Sequence, residues 1–233
     1  MSFENQLALV TGASRGIGAS TAIALAAKGA HVILTARTTK DLEEVEDKIH
    51  QAGGNATIAP LDLTDGDSIG RLSQAISGRW EALDIMILNA AMLGTLTPVP
   101  AIDGKEFNSI LTLNLIAQQA LIAGFDPMMR KSKNARLLAI TSSVGRSPRP
   151  FWGAYGASKA ALETLVTSYG EEMRNLGKLR TAIINPGRTR TDMRARAYPG
   201  EDPQSVKSPE VVANRMVEIL ASDFETGERF DIN

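Results

Sequence analysis

Residues 7–18 read LALVTGASRGIG: a short apolar run, then three glycines spaced Gly-x3-Gly-x-Gly, then the start of an alanine-rich helical pattern. The apolar run is typical of a strand that is buried on both faces. Glycines let the backbone approach a ligand closely, and a helix start offers unpaired N–H groups at the positive end of its dipole. This segment therefore predicts a strand, a phosphate-binding turn and a helix.

Apolar runs and helical patterns alternate along the rest of the chain. The predicted strands are Leu7–Val10, His31–Thr35, Thr57–Leu61, Asp84–Leu88, Arg136–Thr141, Arg180–Ile184 and Arg229–Ile232. The predicted helices are Ile17–Lys28, Lys40–Ala52, Asp67–Arg79, Gly104–Arg130, Ala154–Leu176 and Pro209–Ala221. Such alternation predicts a parallel sheet with right-handed crossovers. We expect an α/β fold, a doubly wound Rossmann-like sheet with helices on both faces, in a single domain over residues 1–233.

Composition excludes several functional classes. The chain has 25 lysine and arginine residues against 26 aspartate and glutamate residues, so it lacks the basic field that nucleic acid binding requires. It has no cysteine, and its two histidines, His31 and His50, are not spaced like metal ligands. No signal-peptide pattern and no apolar run of about 18 residues is present. We expect a cytoplasmic protein without a metal, a nucleic acid partner or a membrane contact.

The end of the second predicted strand discriminates between cofactors. In a doubly wound sheet the ligand lies beyond the carboxyl ends of the strands, and NAD enzymes commonly place an acid there to hold the ribose 2′-hydroxyl. This chain reads LTART over residues 34–38, without an acid. Arg37 and Arg15 could both bind a 2′-phosphate through planar, charge-assisted hydrogen bonds. The pattern favours NADP(H) over NAD(H); the alternative is that Arg37 is a solvated loop residue.

A Tyr-x3-Lys pair, Tyr155 and Lys159, lies near the start of a long predicted helix, where residues four apart share one face. A phenol titrates at about 10, and a nearby ammonium lowers that pKa toward neutrality. Ser142 and Ser143 follow the fifth predicted strand and could orient a carbonyl oxygen. Each motif alone also fits a structural role, as an amphipathic helix surface or as turn-forming serines.

Taken together, the motifs resemble the short-chain dehydrogenase/reductase family in order and spacing. They are residues 11–18, Asn89-Ala90-Ala91, Asn114, Ser142, Tyr155, Lys159 and Pro186-Gly187, and the resemblance covers essentially the whole chain. It implies a single-domain, NADP-preferring oxidoreductase that moves a hydride between the nicotinamide and a carbonyl or alcohol. It also implies a homodimer or homotetramer assembled through the long helices.

The resemblance implies a role for each catalytic candidate. Tyr155 would be the general acid in reduction and the base in oxidation. Lys159 would lower the pKa of Tyr155 and bind the nicotinamide ribose. Ser142 would hydrogen-bond the substrate oxygen, with Ser143 as the alternative, and Asn114 would hold a water in a proton relay.

On the cofactor side, the resemblance implies contacts from Gly12, Ser14, Arg15, Gly16, Ile17, Gly18, Arg37, Asp62, Leu63, Asn89, Ala90, Ala91, Tyr155, Lys159, Pro186, Gly187, Thr189 and Thr191. The family more often has glycine where Ala91 stands, and we expect a small shift of the cofactor there. Residues 192–208, rich in Pro, Gly, Arg and Asp, are expected to be an irregular substrate loop. The candidate pocket walls are Phe151, Trp152, Met193 and Tyr198.

The sequence does not fix the substrate, and two other functional classes stay open. One is a catalytically silent NADP(H)-binding regulatory or structural protein. The other is an isomerase or dehydratase that uses the nicotinamide transiently.

Overall fold

The structure is a computed structural model that describes residues 2–232. Its sheet has seven parallel strands: β1 Leu7–Thr11, β2 His31–Thr35, β3 Asn55–Ile58, β4 Ile85–Leu88, β5 Ala135–Ile140, β6 Leu179–Asn185 and β7 Glu228–Asp231. The strand order is β3-β2-β1-β4-β5-β6-β7. The α-helices are α1 Gly16–Ala26, α2 Thr39–Gln51, α3 Gly66–Ser77, α4 Gly104–Leu111, α5 Ala117–Met129, α6 Gly153–Met173, α7 Asp192–Ala197 and α8 Pro209–Ala221.

Helices cover both faces of the sheet, as the unbroken apolar strands predicted. Ala8 and Val10 of β1 pack in the core with residues of α1, α2 and α8. Leu7 and Leu9 pack in the opposite core, with residues of α3, α5 and α6. Because successive strand residues point to opposite faces, a strand between two helical layers needs apolar residues at every position. The doubly wound, Rossmann-like fold class is confirmed.

Two predicted boundaries are wrong. The third strand covers Asn55–Ile58 rather than Thr57–Leu61, because its pairing with β2 begins at His31 opposite Asn55, and Pro60 has no N–H for a ladder. The helix predicted over 104–130 is interrupted by a π-helical turn, Thr112–Ile116, between α4 and α5.

The segment 192–208 is less irregular than we expected. It contains α7 and a single 3-10 turn, Pro203–Ser205. Thr191 precedes α7 and accepts a hydrogen bond from the Arg194 N–H at its side-chain oxygen (3.1 Å), which is a standard helix N-cap. The Thr-Asp pair at residues 191–192, a cap residue followed by an acid, is a sequence signal that could have predicted this helix.

Strand order reverses between β1 and β4, which are neighbours in the sheet although two other strands separate them in sequence. At such a point the connections leave in opposite directions, and a crevice opens beyond the carboxyl ends of the strands. The fold therefore places the loops after β1, β2, β4, β5 and β6 around one cleft.

Within residues 2–232, no helix is long and apolar enough to cross a membrane. Nor do three or more His, Asp or Glu side chains come together in that range to hold a metal ion.

Candidate active site

A cleft of about 930 Å³ lies at the carboxyl edge of the sheet. Its volume is in the range of small-molecule and cofactor sites. Most of the residues predicted from the sequence line it: Gly12, Ser14, Arg15, Gly16, Ile17, Arg37, Asp62, Leu63, Asn89, Ala90, Ala91, Ser142, Tyr155, Lys159, Pro186, Gly187, Thr189 and Thr191. Gly18 and Asn114 lie behind this lining, where both are buried.

The glycine turn fits closely against the end of β4. Gly12 has a φ of +64°, and a Cβ there would lie 2.9 Å from the Asn89 Nδ2. A Cβ at Gly18 would clash with the Gly12 carbonyl oxygen, so Gly18 supports the turn by close packing. Arg15, the N-cap of α1, makes no side-chain capping bond, and the first turn carries no acid. This helix start can therefore accept an anion.

Thr11 and Asn89 hold the turn in place. The Thr11 Oγ1 donates to the Ile87 carbonyl and accepts from the N–H groups of Asn89 and Ala90. The Asn89 Nδ2 donates to the carbonyls of Thr11 (2.9 Å) and Gly12 (3.2 Å). The Asn89 carboxamide thus braces the glycine turn. Thr11 was not among the predicted site residues, although a buried threonine at the end of an apolar strand was a usable signal.

The two arginines predicted to bind a 2′-phosphate both line the cleft. Arg37 is exposed at the end of β2, close enough to Asp62 to help lower the pKa of that carboxyl. The larger cause of that lowering is the pair of hydrogen bonds that Asp62 accepts from the N–H and hydroxyl of Thr64. Arg15 forms an exposed ion pair with Asp192 (3.1 Å). Arg190 also lines the cleft and was missed, although it lies in the basic stretch after β6.

Tyr155 and Lys159 share one face of α6 and are both buried. The Lys159 Nζ donates to the Ile140 carbonyl oxygen at the end of β5 (2.9 Å) and lies 5.7 Å from the centre of the Tyr155 ring. A Cβ at Gly156 would lie 2.9 Å from the Val144 carbonyl, so the glycine lets α6 approach the loop after β5 closely. The phenol, the ammonium and Ser142 line the same cleft.

Burial sets the pKa of both groups. It raises the pKa of the Tyr155 phenol, so the net shift is opposite to the one expected from the neighbouring ammonium. The physical reason is desolvation, together with a lysine that hydrogen-bonds a carbonyl instead of the phenol. Burial lowers the pKa of Lys159 to about 8, opposed by the negative charge of Glu163. Burial therefore favours the neutral form of each group, which is the protonated phenol and the uncharged amine.

The two serines and Asn114 differ in their surroundings. Ser142 lines the cleft, whereas the Ser143 hydroxyl accepts a hydrogen bond from Arg149 (3.3 Å). The Asn114 carboxamide, in the π-helical turn, accepts from the Met92 N–H and donates to the Met92 carbonyl and the Ser158 hydroxyl. Three hydrogen bonds within the protein thus occupy the Asn114 carboxamide. The role of Asn114 in a proton relay stays a prediction.

Apolar side chains surround the phenol on the open side of the cleft. Leu93, Trp152, Met193 and Ala197 pack around Tyr155 and line the cleft. The Tyr198 ring packs against the Trp152 ring, with ring centres 5.8 Å apart, but Tyr198 itself does not line the cleft. Phe151, another candidate wall, is 55% exposed and lies outside the lining.

Comparison with known proteins identifies the family of this chain. A sequence profile described as short chain dehydrogenase matches residues 6–202. YciK of Escherichia coli K12, described as an uncharacterized oxidoreductase, is 35% identical over 97% of this chain and 91% of its own. The 3-oxoacyl-(acyl-carrier-protein) reductase FabG of the same strain is 32% identical over 100% of this chain and 98% of its own. A Shigella flexneri short chain dehydrogenase, solved in complex with NADP, has a TM-score of 0.94 at 35% identity and covers 98% of this chain and 97% of its own.

The fold and its cleft at the point of strand reversal define a Rossmann-like α/β protein. The chain belongs to the short-chain dehydrogenase family and is an oxidoreductase of that family.

Proposed function

We propose that this protein is an NADP(H)-dependent reductase or dehydrogenase that transfers a hydride between the nicotinamide and a carbonyl or alcohol substrate. One observation carries the proposal: the buried Tyr155 and Lys159 line the same cleft as the glycine turn at the start of α1. A protein that only bound a dinucleotide would need the turn but not a buried phenol beside a buried ammonium.

The cofactor assignment is supported by the shape and charge of the cleft. Gly12 and the uncapped start of α1 offer close backbone approach and N–H groups for a pyrophosphate. Arg37 is exposed at the end of β2, where a 2′-phosphate would lie, and Arg15 could exchange its partner Asp192 for that phosphate. The similar Shigella flexneri protein was solved with NADP. When bound, NADP(H) would donate or accept the hydride.

Tyr155 would supply the proton. Its raised pKa keeps the phenol protonated at neutral pH, so a proton is available for a carbonyl oxygen that gains negative charge, although the same shift makes the phenol a weaker acid. Lys159, whose Nζ lies 5.7 Å from the centre of the Tyr155 ring, would place a positive charge near the phenolate that remains and so offset part of the cost of burying that anion. Ser142 would donate a hydrogen bond to the same substrate oxygen, with Asn114 in the relay behind Lys159.

The substrate carbonyl would carry an apolar substituent. Leu93, Trp152, Met193 and Ala197 form the surface next to the phenol, and such a surface favours alkyl or aryl groups over sugars. The name of FabG gives a 3-oxoacyl group as its substrate, which is consistent with a carbonyl that carries an apolar chain. Ketones, aldehydes and acyl thioesters with apolar chains are therefore the first candidates.

A cytoplasmic homodimer or homotetramer belongs to the same proposal. Ile116, between α4 and α5, is a large apolar side chain with 58% of its surface exposed on the helices that the resemblance assigns to assembly. Light scattering of the purified protein tests the assembly directly.

The function is tested by following NADPH consumption with a panel of apolar ketones, aldehydes, sugars and 3-oxoacyl thioesters. We expect stoichiometric alcohol formation with at least one apolar carbonyl, and slower reaction with NADH. NADPH binding without consumption across the panel would favour a silent binding protein. Substrate conversion without net NADPH loss would favour an isomerase or dehydratase.

A further inference from the structure

A buried carboxylate, Glu163, collects three donors beside the candidate active site. It lies one turn after Lys159 on α6 and is 8% exposed. Its oxygens accept from the Thr141 hydroxyl (2.5 Å), the Arg146 Nε (2.7 Å) and an Arg229 guanidinium N–H (2.6 Å). Desolvation raises the pKa of Glu163, but these hydrogen bonds outweigh it and hold the pKa below its usual value. Glu163 is therefore an anion that ties α6 to the loop after β5 and to β7.

Arg229 extends this hydrogen-bond network from α6 to β7, the edge strand of the sheet. Its guanidinium is 12% exposed and pairs both with Glu163 and with Asp231, two residues along β7 (3.3 Å). Asp231 accepts from the Asn185 Nδ2 at the end of β6 (2.6 Å). The Asn185 Oδ1 in turn accepts the Gly187 N–H (3.2 Å).

The two ends of this network are the two loops that meet at the cleft. Thr141 precedes Ser142 in the loop after β5, and Gly187 lies in the loop after β6. Gly187 also packs against the residue that follows β7, because a Cβ there would lie 2.6 Å from the Ile232 carbonyl oxygen. The loop after β5 that holds Ser142, called the serine loop below, is thus connected to β7 through Glu163, and the Pro186-Gly187 loop contacts the residue directly after that strand.

We propose that Arg229 and Glu163 are positioning residues that fix the serine loop relative to the Pro186-Gly187 loop, and so the substrate oxygen relative to the nicotinamide. This inference rests on the proposed hydride transfer. Neither residue lines the cleft, so neither is expected to touch substrate or cofactor. Hydride transfer is sensitive to such positioning, because a displacement of about 1 Å can cost about 100-fold in rate.

A purely stabilising role would not need charges here. Burying ions costs desolvation energy, and well-packed apolar residues often stabilise a protein as well or better than a buried ion pair does. A buried ion pair does, however, have a defined hydrogen-bond geometry, which suits two loops that must keep a fixed separation.

The test compares Arg229→Met and Glu163→Gln with Arg174→Met. Arg174 is the matched control, since its partner Glu171 lies on the same helix α6 but the pair is exposed and remote from the cleft. The double variant Glu163→Gln with Arg229→Met removes both charges together and guards against a single variant that does not fold. Each protein is titrated with NADPH to count binding sites, and kcat per site is measured with a carbonyl substrate and with NADPH deuterated at the transferred position.

We expect Arg229→Met and Glu163→Gln to lose about 10- to 100-fold in kcat per NADPH site, with an isotope effect at least as large as that of the wild type. NADPH affinity should stay within about threefold, because the contacts to the cofactor are intact. Arg174→Met should match the wild type.

Wild-type kcat per site in Arg229→Met and in the double variant would overturn the positioning role while leaving the proposed function intact. A loss of total activity that only follows the loss of NADPH sites, with kcat per site unchanged, would also overturn it, because that pattern reports unfolding. A wild-type protein that transfers no hydride to any carbonyl would overturn the proposed function itself and this role with it.

Discussion

Desolvation acts on the two central residues in opposite directions. It raises the pKa of the Tyr155 phenol, so the phenol is protonated at neutral pH, and it lowers the pKa of the Lys159 ammonium to about 8. The lysine amine reaches the Ile140 carbonyl, which fixes its position without a direct bond to the phenol. The phenol therefore holds the proton that the proposed carbonyl reduction requires.

Arg37 is the residue whose replacement should alter cofactor choice. Arg37→Ala is expected to raise the Kd for NADPH by about 10- to 100-fold, since hydrogen bonds to charged groups contribute about 1.5–3 kcal/mol. The Kd for NADH should stay within about twofold, because NADH has no 2′-phosphate. Fluorescence titration of both dinucleotides measures the difference.

Arg71→Ala is the control for this titration, because Arg71 is an exposed arginine of α3 paired with Asp65. It should leave both Kd values unchanged. Equal weakening of NADPH and NADH by Arg37→Ala would mean that Arg37 does not bind the phosphate.

Which residues meet in the cleft was largely predictable, but what their side chains contact was not. The order of motifs along alternating strands and helices places Gly12, Ser142 and Tyr155 at one sheet edge, because parallel strands end there together. By contrast, the Asn89 carboxamide braces the glycine turn and the Asn114 carboxamide bonds to Met92 and Ser158. These contacts depend on side-chain directions across distant segments, which no local sequence pattern carries.

At the scale of elements, the π-helical turn shows how tertiary contacts override a local pattern. Residues 112–116 read TLNLI, without a glycine or proline to break the helix predicted there. In the structure the Ala117 N–H bonds to the Thr112 carbonyl, five residues back, and the Gln118 side chain donates to the Leu113 carbonyl (2.8 Å). Gln118 also donates to the Ala90 carbonyl after β4, so a partner distant in sequence helps to fix this turn.

Helix α7 should depend on its N-cap, since it has only six residues. Thr191→Val removes the oxygen that accepts the Arg194 N–H, a loss worth about 1 kcal/mol. We expect the α7 amides to exchange about fivefold faster in hydrogen–deuterium exchange. Thr191→Ser keeps the acceptor and should exchange like the wild type; equal rates in the valine variant would show that the cap does not hold α7.

At the scale of the whole molecule, the fold class followed from strand and helix alternation, but the strand order did not. Any parallel doubly wound sheet would satisfy the same apolar pattern, and only the packing of all the layers selects β3-β2-β1-β4-β5-β6-β7. The side-chain contacts of the last strand were equally unpredictable from the sequence. Residues 229–232 were predicted to form a short strand, yet nothing local showed that Arg229 would reach Glu163, 66 positions away.

The free energy of unfolding should depend on pH in a way that reports the buried Lys159. The folded-state pKa of Lys159, about 8, lies below its unfolded value of about 10.5, so between these values the unfolded chain binds more protons. The penalty for burying the ammonium is full below pH 8 and is lost as the pH rises toward 10.5. The free energy of unfolding of the wild type should therefore rise relative to Lys159→Met by about 2 kcal/mol between pH 7 and pH 9.5.

Urea denaturation of both proteins at several pH values measures this difference. The difference in free energy of unfolding between the two proteins cancels the contributions of the other titrating groups to first order. The pH dependence that remains is that of Lys159. A constant difference across that range would mean that Lys159 titrates normally in the folded protein.

The proposed hydride transfer requires the Tyr155 hydroxyl to donate a proton to the reacting oxygen. In Tyr155→Phe, carbonyl reduction and the Kd for NADPH are measured side by side with a substrate that the wild type reduces. We predict that turnover falls about 100- to 10,000-fold, the usual contribution of a general acid, while NADPH affinity stays within about tenfold. Turnover close to that of the wild type would show that the Tyr155 hydroxyl is not the proton donor.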